Sequence, residues 1–236
     1  MATNITIRRI QAPTADELHQ ICTVISEATA QDSICVDGCA NDPELYYTLA
    51  RCIVSAAAAE THQFAAFLEG SEEVIGAVTF YEPGKVIMGD DKQRAHGFDD
   101  FLESLSPKLR GWWDSVRQPA WCCTAAVFIS LACSFLPQYA ALVDAELGPG
   151  VKDAAWTINS FGVKEEYRRM GVGRALLQAG EEYARASKTP VIVQTEQPHN
   201  VPIYEHLGYS CVSQGIISGE GKNPDFRLFV LRKDFA

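Results

Sequence analysis

Chemistry in this sequence concentrates first in Arg168-Arg169-Met170-Gly171-Val172-Gly173-Arg174. Glycines at 171 and 173 let a backbone approach a ligand with no Cβ in the way. If a helix starts here, its first N–H groups are unpaired and its dipole is positive at that end. A pyrophosphate suits such a site, and three arginines in seven residues add charge to a chain that is acidic elsewhere. The bland alternative is a solvated basic loop. Two other phosphate motifs fail on spacing. A dinucleotide fingerprint needs a third glycine where this chain has Leu176, and the Walker pattern needs a Gly-Lys-Ser/Thr that is absent.

The cradle reading requires a strand before the run and a helix after it, and the periodicity supplies both. Trp156–Val163 reads as a strand, and Val172, Leu176, Ala179 and Tyr183 form a helical stripe. Upstream, Ile5, Ile7 and Ile10 predict a first strand, and Pro13, Thr14 and Asp16 open a helix with apolar positions Leu18, Ile21, Cys22 and Ile25. Asp42 caps a second helix with Pro43 in its first turn, running to about Glu60. His62–Leu68 and Val74–Tyr81, joined by Glu69-Gly70-Ser71-Glu72, predict a hairpin. Downstream, Val191–Val193 is a short buried strand, Ile203–Leu207 a short helix stopped by Gly208, and Arg227–Leu231 a last strand. This order predicts an α/β (α+β) fold with a mixed sheet and helices packed on it. Within residues 84–154, Asp90–Arg117 is charged and helical in part, and Gln118–Val143 carries no charge.

With these residues in place, the run from Trp156 to Tyr209 resembles the GCN5-related N-acetyltransferase (GNAT) superfamily. Arg168, Gly171 and Gly173 match its Arg/Gln-x-x-Gly-x-Gly/Ala motif. Asn200 through Tyr209, within HNVPIYEHLGY, matches its downstream Asn and Tyr-Glu-x-x-Gly-Tyr/Phe signature. The wording around both motifs is similar to puromycin N-acetyltransferase and its microbial relatives. The resemblance implies a mostly antiparallel central sheet of about six or seven strands with helices on both faces, in one domain over 1–236 with an insert at about 84–154. It also implies acetyl-CoA as acyl donor, with no metal. Backbone amides of Arg169, Met170, Gly171, Val172, Gly173 and Arg174 would hold the pyrophosphate beside Arg168. The strand through Phe161, Gly162 and Val163 would pair with the pantetheine arm, with the Phe161 N–H polarising the thioester carbonyl. Asn200 would contact that arm. Tyr204 would protonate the departing thiolate, a role open to a phenol with a pKa near ~10; otherwise it is a core aromatic. Relatives place Glu or His where this chain has Thr157 or Asn159, and neither can act as a base. An ordered water, Glu196 or, second to it, Asp153 would then take the proton, unless Glu196 is only a solvated acid.

The implied reaction is transfer of acetyl to a primary amine of a small molecule by direct attack in a ternary complex. Acetylation of a protein or peptide is an alternative, and a non-catalytic CoA-binding module is another. Trp112, Trp113, Trp121, Phe128 and Phe135 suggest an aromatic acceptor pocket for an apolar or aromatic amine; core or a dimer contact is the competing role, and a homodimer is left open. There are 20 Lys plus Arg against 30 Asp plus Glu, a net charge of -10, which argues against nucleic acid as a partner. The uncharged stretch contains Pro119 and Pro137 and has Asp144 and Glu146 beyond it, so a buried or interface helix is expected rather than a membrane span. MATNITIRRI has no apolar signal region, which predicts a cytoplasmic protein. The spacing of the eight cysteines fits neither a zinc site nor a disulfide framework, so they read as buried, inert thiols. His199 and His206 are expected to be structural or solvent-facing.

Overall fold

The computed structural model describes residues 4–117, 135–217 and 225–235, without the side chains of residues 34, 115–117 and 135–140. Its strands are β1 (Ile5–Ile10), β2 (His62–Leu68), β3 (Val74–Tyr81), β4 (Trp156–Val163), β5 (Val191–Thr195), β6 (Ser210–Ile217) and β7 (Phe226–Lys233). They form one sheet in the order β1-β2-β3-β4-β5-β7-β6. Only the β4–β5 pair is parallel; the other five pairings are antiparallel. The predicted mixed, mostly antiparallel sheet is therefore present.

Between β1 and β2 lie three helices, not the two read from the sequence: α1 (Ala15–Thr29), α2 (Ser33–Gly38) and α3 (Pro43–Glu60). Thr14 and Glu17 close a capping box on α1, and Asp42 caps α3 with Pro43 in its first turn. At six residues, α2 is too short to give a periodic signal. β6 is the second omission. It is an edge strand, and most of its residues are exposed or half-buried, so SCVSQGII carries little hydrophobic alternation.

Each face of the sheet has its own core. α8 (Val172–Ser187) buries Val172, Leu176, Leu177 and Ala184 against Phe64, Ile75, Val78, Phe80, Trp156 and Ile158. Each buried Val, Leu or Ile side chain there contributes about 1.5–3 kcal/mol. Gly180 permits the approach, because a Cβ at that position would lie 2.2 Å from Phe80 Cε2. α1 and α3 cover the opposite face through Ile21, Val24, Ile25, Val54, Ala65 and Ala77.

The connection from β3 to β4 carries α4 (Asp91–Arg94), α5 (Phe98–Ser104), α6 (Pro107–Arg117) and α7 (Phe135–Leu147). α5 and α6 bury Phe98, Phe101, Leu102 and Trp113 against Cys39, Tyr46 and Leu49. α7 lays Val143 against Ile192 and Val230, on the α1 side of the sheet. α9 (Asn200–His206) follows β5, and Gly208 with φ +91° ends it as the sequence predicts. Among the described residues no helix is long and apolar enough to cross a membrane; most of the uncharged stretch lies outside them.

Of the cysteines within reach, Cys22, Cys35, Cys39 and Cys52 are buried, and burial pushes their thiols up to about 12, 12, 12 and 11. Those four are inert, as the sequence suggests. Cys211 departs from that reading: it is exposed, on edge strand β6.

Candidate active site

β4 pairs with β3 from Thr157 to Val163 except at Asn159, but with β5 only at Trp156, Thr157 and Ile158. Beyond Ile158 the two parallel strands part. The register to β3 steps from Ser160↔Thr79 to Ile158↔Phe80, so Asn159 is an extra residue bulged out of β4. The bulge reverses the alternation. Trp156 and Ile158 face α8, and after Asn159 it is Phe161 and Val163 that pack on that side.

Where the strands part, β4 has an unpaired edge. Lys164 donates its N–H to the Ile75 carbonyl, which fixes the phase of the antiparallel ladder. Bonded pairs alternate along such a ladder, so Gly162 and Ser160 turn their peptide groups to β3, while Phe161 and Val163 turn theirs to the gap. The Val163 carbonyl accepts a hydrogen bond from Arg168 Nε at 3.3 Å. Gly162 has no face toward the gap: its bare α carbon meets α1, where a Cβ would stand 2.6 Å from Ala28 Cβ. Its peptide group turns to β3 and its α carbon packs on α1.

The basic run begins just beyond this edge. A 3-10 turn at Glu165–Tyr167 is held by Glu73, which pairs with Lys164 Nζ at 2.8 Å and accepts from Tyr167 Oη at 3.2 Å. Arg169 at φ +62° and Gly171 at φ +88° then turn the chain into α8. No side chain caps that helix, so its first amides are left open. A Cβ on Gly171 would meet nothing within 4 Å, and one on Gly173 would meet Phe161 Cζ at 3.0 Å. Arg168, Arg169, Met170 and Arg174 are exposed. None of the three arginines forms an ion pair among the described residues; Arg174 instead reaches the His206 carbonyl at 3.5 Å, tying the start of α8 to the end of α9. An open helix N-terminus, two glycines and three arginines make a fit for a pyrophosphate.

α9 brings Tyr204 to the same gap. Its ring is 6% exposed and lies 6.2 Å, centroid to centroid, from Phe161. Burial, with the Asp32 carboxylate nearby, raises its phenol well above the usual tyrosine range, so it stays protonated. Asn200 starts α9 and donates from Nδ2 to Thr195 Oγ1 at 3.0 Å, fixing the helix to the end of β5. His199 and His206 are exposed.

Glu196 caps α2. Its Oε2 accepts from Ser33 N at 2.8 Å and from Ser33 Oγ. Asp32 occupies the N-cap position of that helix yet makes no capping bond with its own side chain. The two carboxylates therefore sit side by side. Burial, and then the Glu196 charge, push Asp32 up to about 7, against a hydrogen bond from the Gln197 side chain. Asp37 is raised as well, by burial and by Glu196. The loop is pinned by Tyr46 Oη to the Ala30 carbonyl at 3.2 Å and by Gln197 Nε2 to the Gln31 carbonyl at 3.3 Å. Sequence reasoning missed Asp32; the only local signal was an Asp-Ser pair of helix-capping type with no periodic helix after it.

A parted β4–β5 pair, an open β4 edge, an anion cradle and a buried phenol thus converge. Residues 130–209 match the Acetyltransferase (GNAT) family. The fold is also that of solved GNAT acetyltransferases, at low identity. A mosquito arylalkylamine N-acetyltransferase-like 5b is 15% identical with a TM-score of 0.54, covering 98% of this chain and 100% of its own. A Drosophila melanogaster polyamine N-acetyltransferase that forms N-acetylagmatine is 12% identical with a TM-score of 0.57 and the same coverage. The histone acetyltransferase HPA2 and related acetyltransferase of Corynebacterium glutamicum is 14% identical with a TM-score of 0.52, covering 100% of this chain and 98% of its own. The β3–β4 connection with α4–α7 holds the segment read from the sequence as an insert. Of the five aromatics expected to wall an acceptor pocket, the two described ones pack elsewhere. Trp113 is 5% exposed in a core with Phe98 and Phe101, and its Nε1 donates to the Gly38 carbonyl at 2.9 Å. Trp112 packs against α2 at Gly38. Trp121, Phe128 and the Phe135 side chain lie outside the described residues.

Proposed function

We propose that this chain is an acetyl-CoA-dependent N-acetyltransferase that acetylates the primary amine of a small molecule by direct attack. One observation carries the reading. The ring of Phe161, at the open edge of β4, neighbours both Gly173 of the cradle and the buried Tyr204 ring. Acetyl-CoA would supply the thioester. The first amides of α8 and Arg168, Arg169 and Arg174 would hold its pyrophosphate. The peptide groups of Phe161 and Val163 would hold the pantetheine arm, Arg168 releasing the Val163 carbonyl, and Asn200 would flank it. The Phe161 N–H faces the gap and would stabilise negative charge on the carbonyl oxygen.

The amine nitrogen forms the new bond to the acetyl carbon as the carbon–sulfur bond breaks. The Asp32–Glu196 pair takes the proton that the amine loses, and Tyr204 gives its proton to the departing sulfur. A carboxyl at about 7 is well placed to accept a proton at neutral pH. The phenol is a weaker acid than in water, but a thiolate in the same dry gap is also a stronger base, as the buried thiols of this chain are. Asp32 thus joins Glu196, the acid read from the sequence. The resemblance in motif wording to puromycin N-acetyltransferase is consistent with a small amine acceptor.

The test is release of free thiol from acetyl-CoA with a panel of amines, with mass spectrometry of the products. Amine-dependent thiol release and an acetylated amine are expected. Calorimetric binding of CoA with no release for any amine would leave a non-catalytic CoA-binding protein.

A further inference from the structure

One cavity outside the cradle and the Tyr204 gap has unmatched polar groups. It measures about 90 Å³ and lies over β3, β4 and β5 on the face turned away from α8, between the two ends of the β3–β4 connection. Tyr81, Lys152, Asp153, Thr157, Asn159 and Gln194 line it, beside Lys85. Thr157 and the bulged Asn159 put it next to the point where β4 and β5 part. Apolar side chains are few. Val86, Ile87 and Ile158 are the aliphatic ones, and neither Trp112 nor Trp113 reaches it.

Its donors lack partners. Tyr81 is 1% exposed, and its Oη has no hydrogen bond. Gln194 Nε2 is buried and also has none. A buried polar group left unpaired costs about 1–3 kcal/mol, so two of them on one cavity call for an explanation. Lys152 is half-buried, and no carboxylate lies within ion-pair distance of it among the described residues. Lys85, by contrast, is already paired with Asp90 at 3.4 Å. Two neutral donors and one unpaired cation therefore face a space large enough for about three waters or one small polar group. What satisfies three donors at once, one of them cationic, is an anionic oxygen group.

We propose that this cavity takes the carboxylate of the acceptor, so that the substrate is an amine that also carries a carboxylate, of the amino-acid class. The inference rests on the acetyltransferase reading and deepens it. The two halves of such a substrate have opposite needs, and the chain offers both. Asp32, whose charge acts on Tyr204, and Glu196 beside it at the start of α2 suit the amine. Tyr81, Gln194 and Lys152 lie behind β4 and suit the carboxylate. Asp153 at the rim, with Asp144, partly offsets the Lys152 charge. Desolvation lowers the Lys152 ammonium from its usual range, and a bound carboxylate would restore it.

The experiment uses the whole protein and three acceptors on one skeleton: an amino acid, its carboxamide and the decarboxylated amine. Thiol release is measured for each with wild type, Tyr81→Phe and Lys152→Met. The expected result is a preference in kcat/KM for the amino acid, and a loss of about tenfold in that preference in each variant. KM for acetyl-CoA stays constant. Simple carboxylates without an amine should inhibit wild type competitively against the acceptor and not against acetyl-CoA. Equal use of the three acceptors by wild type, or an unchanged preference in both variants, overturns the proposal while leaving the acetyltransferase reading intact. No release with any amine removes that reading, and this inference with it. Tyr81→Phe keeps the ring and its packing, so it serves if Lys152→Met does not fold.

Discussion

Tyr204 and Asp32 divide the proton traffic, and each can be tested alone. Tyr204→Phe keeps the ring against Phe161 and Tyr209 and removes the proton. We expect kcat to fall about 100-fold with little change in KM for acetyl-CoA; an unchanged kcat would make Tyr204 a core residue. Asp32 predicts a pH dependence. Its carboxyl is pushed up to about 7, so kcat/KM in wild type should rise as pH passes through about 7. Asp32→Asn should abolish that limb and lower the plateau by about 100-fold. The stability effect has the opposite direction. A carboxyl raised from ~4 in the unfolded chain contributes stability below that value and loses it as pH rises through about 7. Unfolding curves from pH 4 to pH 8 should therefore show wild type losing stability relative to Asp32→Asn. Parallel curves would place Asp32 at an ordinary pKa and remove it as the base.

At the scale of elements, the start of α8 is the part most sensitive to substitution. Gly173→Asp puts a Cβ 3.0 Å from Phe161 Cζ and a negative charge at an anion cradle. Loss of measurable CoA binding by calorimetry is expected, with the circular dichroism spectrum retained; wild-type affinity in the folded variant would remove the cradle. Farther along the same helix, Gly180→Ala tests packing rather than binding. Its Cβ would sit within 2.2 Å of the Phe80 ring, which is fully buried. A loss of about 1–3 kcal/mol is expected, read as a shift in the denaturant midpoint at constant slope.

Across the whole molecule, one buried carboxylate fastens the half that carries Tyr204. Glu181 of α8 is 1% exposed. It accepts from Tyr209 Oη at 2.8 Å and pairs with Lys233 of β7 at 2.7 Å, and Lys233 also donates to the Leu207 carbonyl at 2.9 Å. The end of α9, the start of β6 and β7 are thus joined to α8. Glu181→Ala leaves a partly buried ammonium without its counter-charge, and a loss of about 3 kcal/mol is expected. It should also raise KM for acetyl-CoA, because α8 and α9 flank the gap. A thermal shift with unchanged kinetics would confine Glu181 to stability.

The sequence alone determined much that depends on neighbours in the chain. The capping box at Thr14 and Glu17, Pro43 after Asp42, and the stripe from Val172 to Tyr183 each act within a few residues, so their elements were legible. The same holds for the cradle, where the glycines and arginines are consecutive, and for Tyr204 on its short helix. Tertiary structure decided what joins distant residues. Glu196 caps a helix 163 positions away in place of Asp32, and the Asp32 carboxyl is raised first by burial and then by the Glu196 charge, both products of the fold. The bulge at Asn159 is a mismatch between two strands, so neither strand shows it alone, yet it sets which peptide groups face the gap. The aromatics of α6 read as a binding wall by composition, but Gly38 and α5 claimed them for a core. The polar cavity behind β4 needed four segments, at residues 81, 85–87, 152–159 and 194, to meet. Local free energies are written in local sequence; a site assembled across a sheet depends on registers and contacts that exist only once the chain has folded.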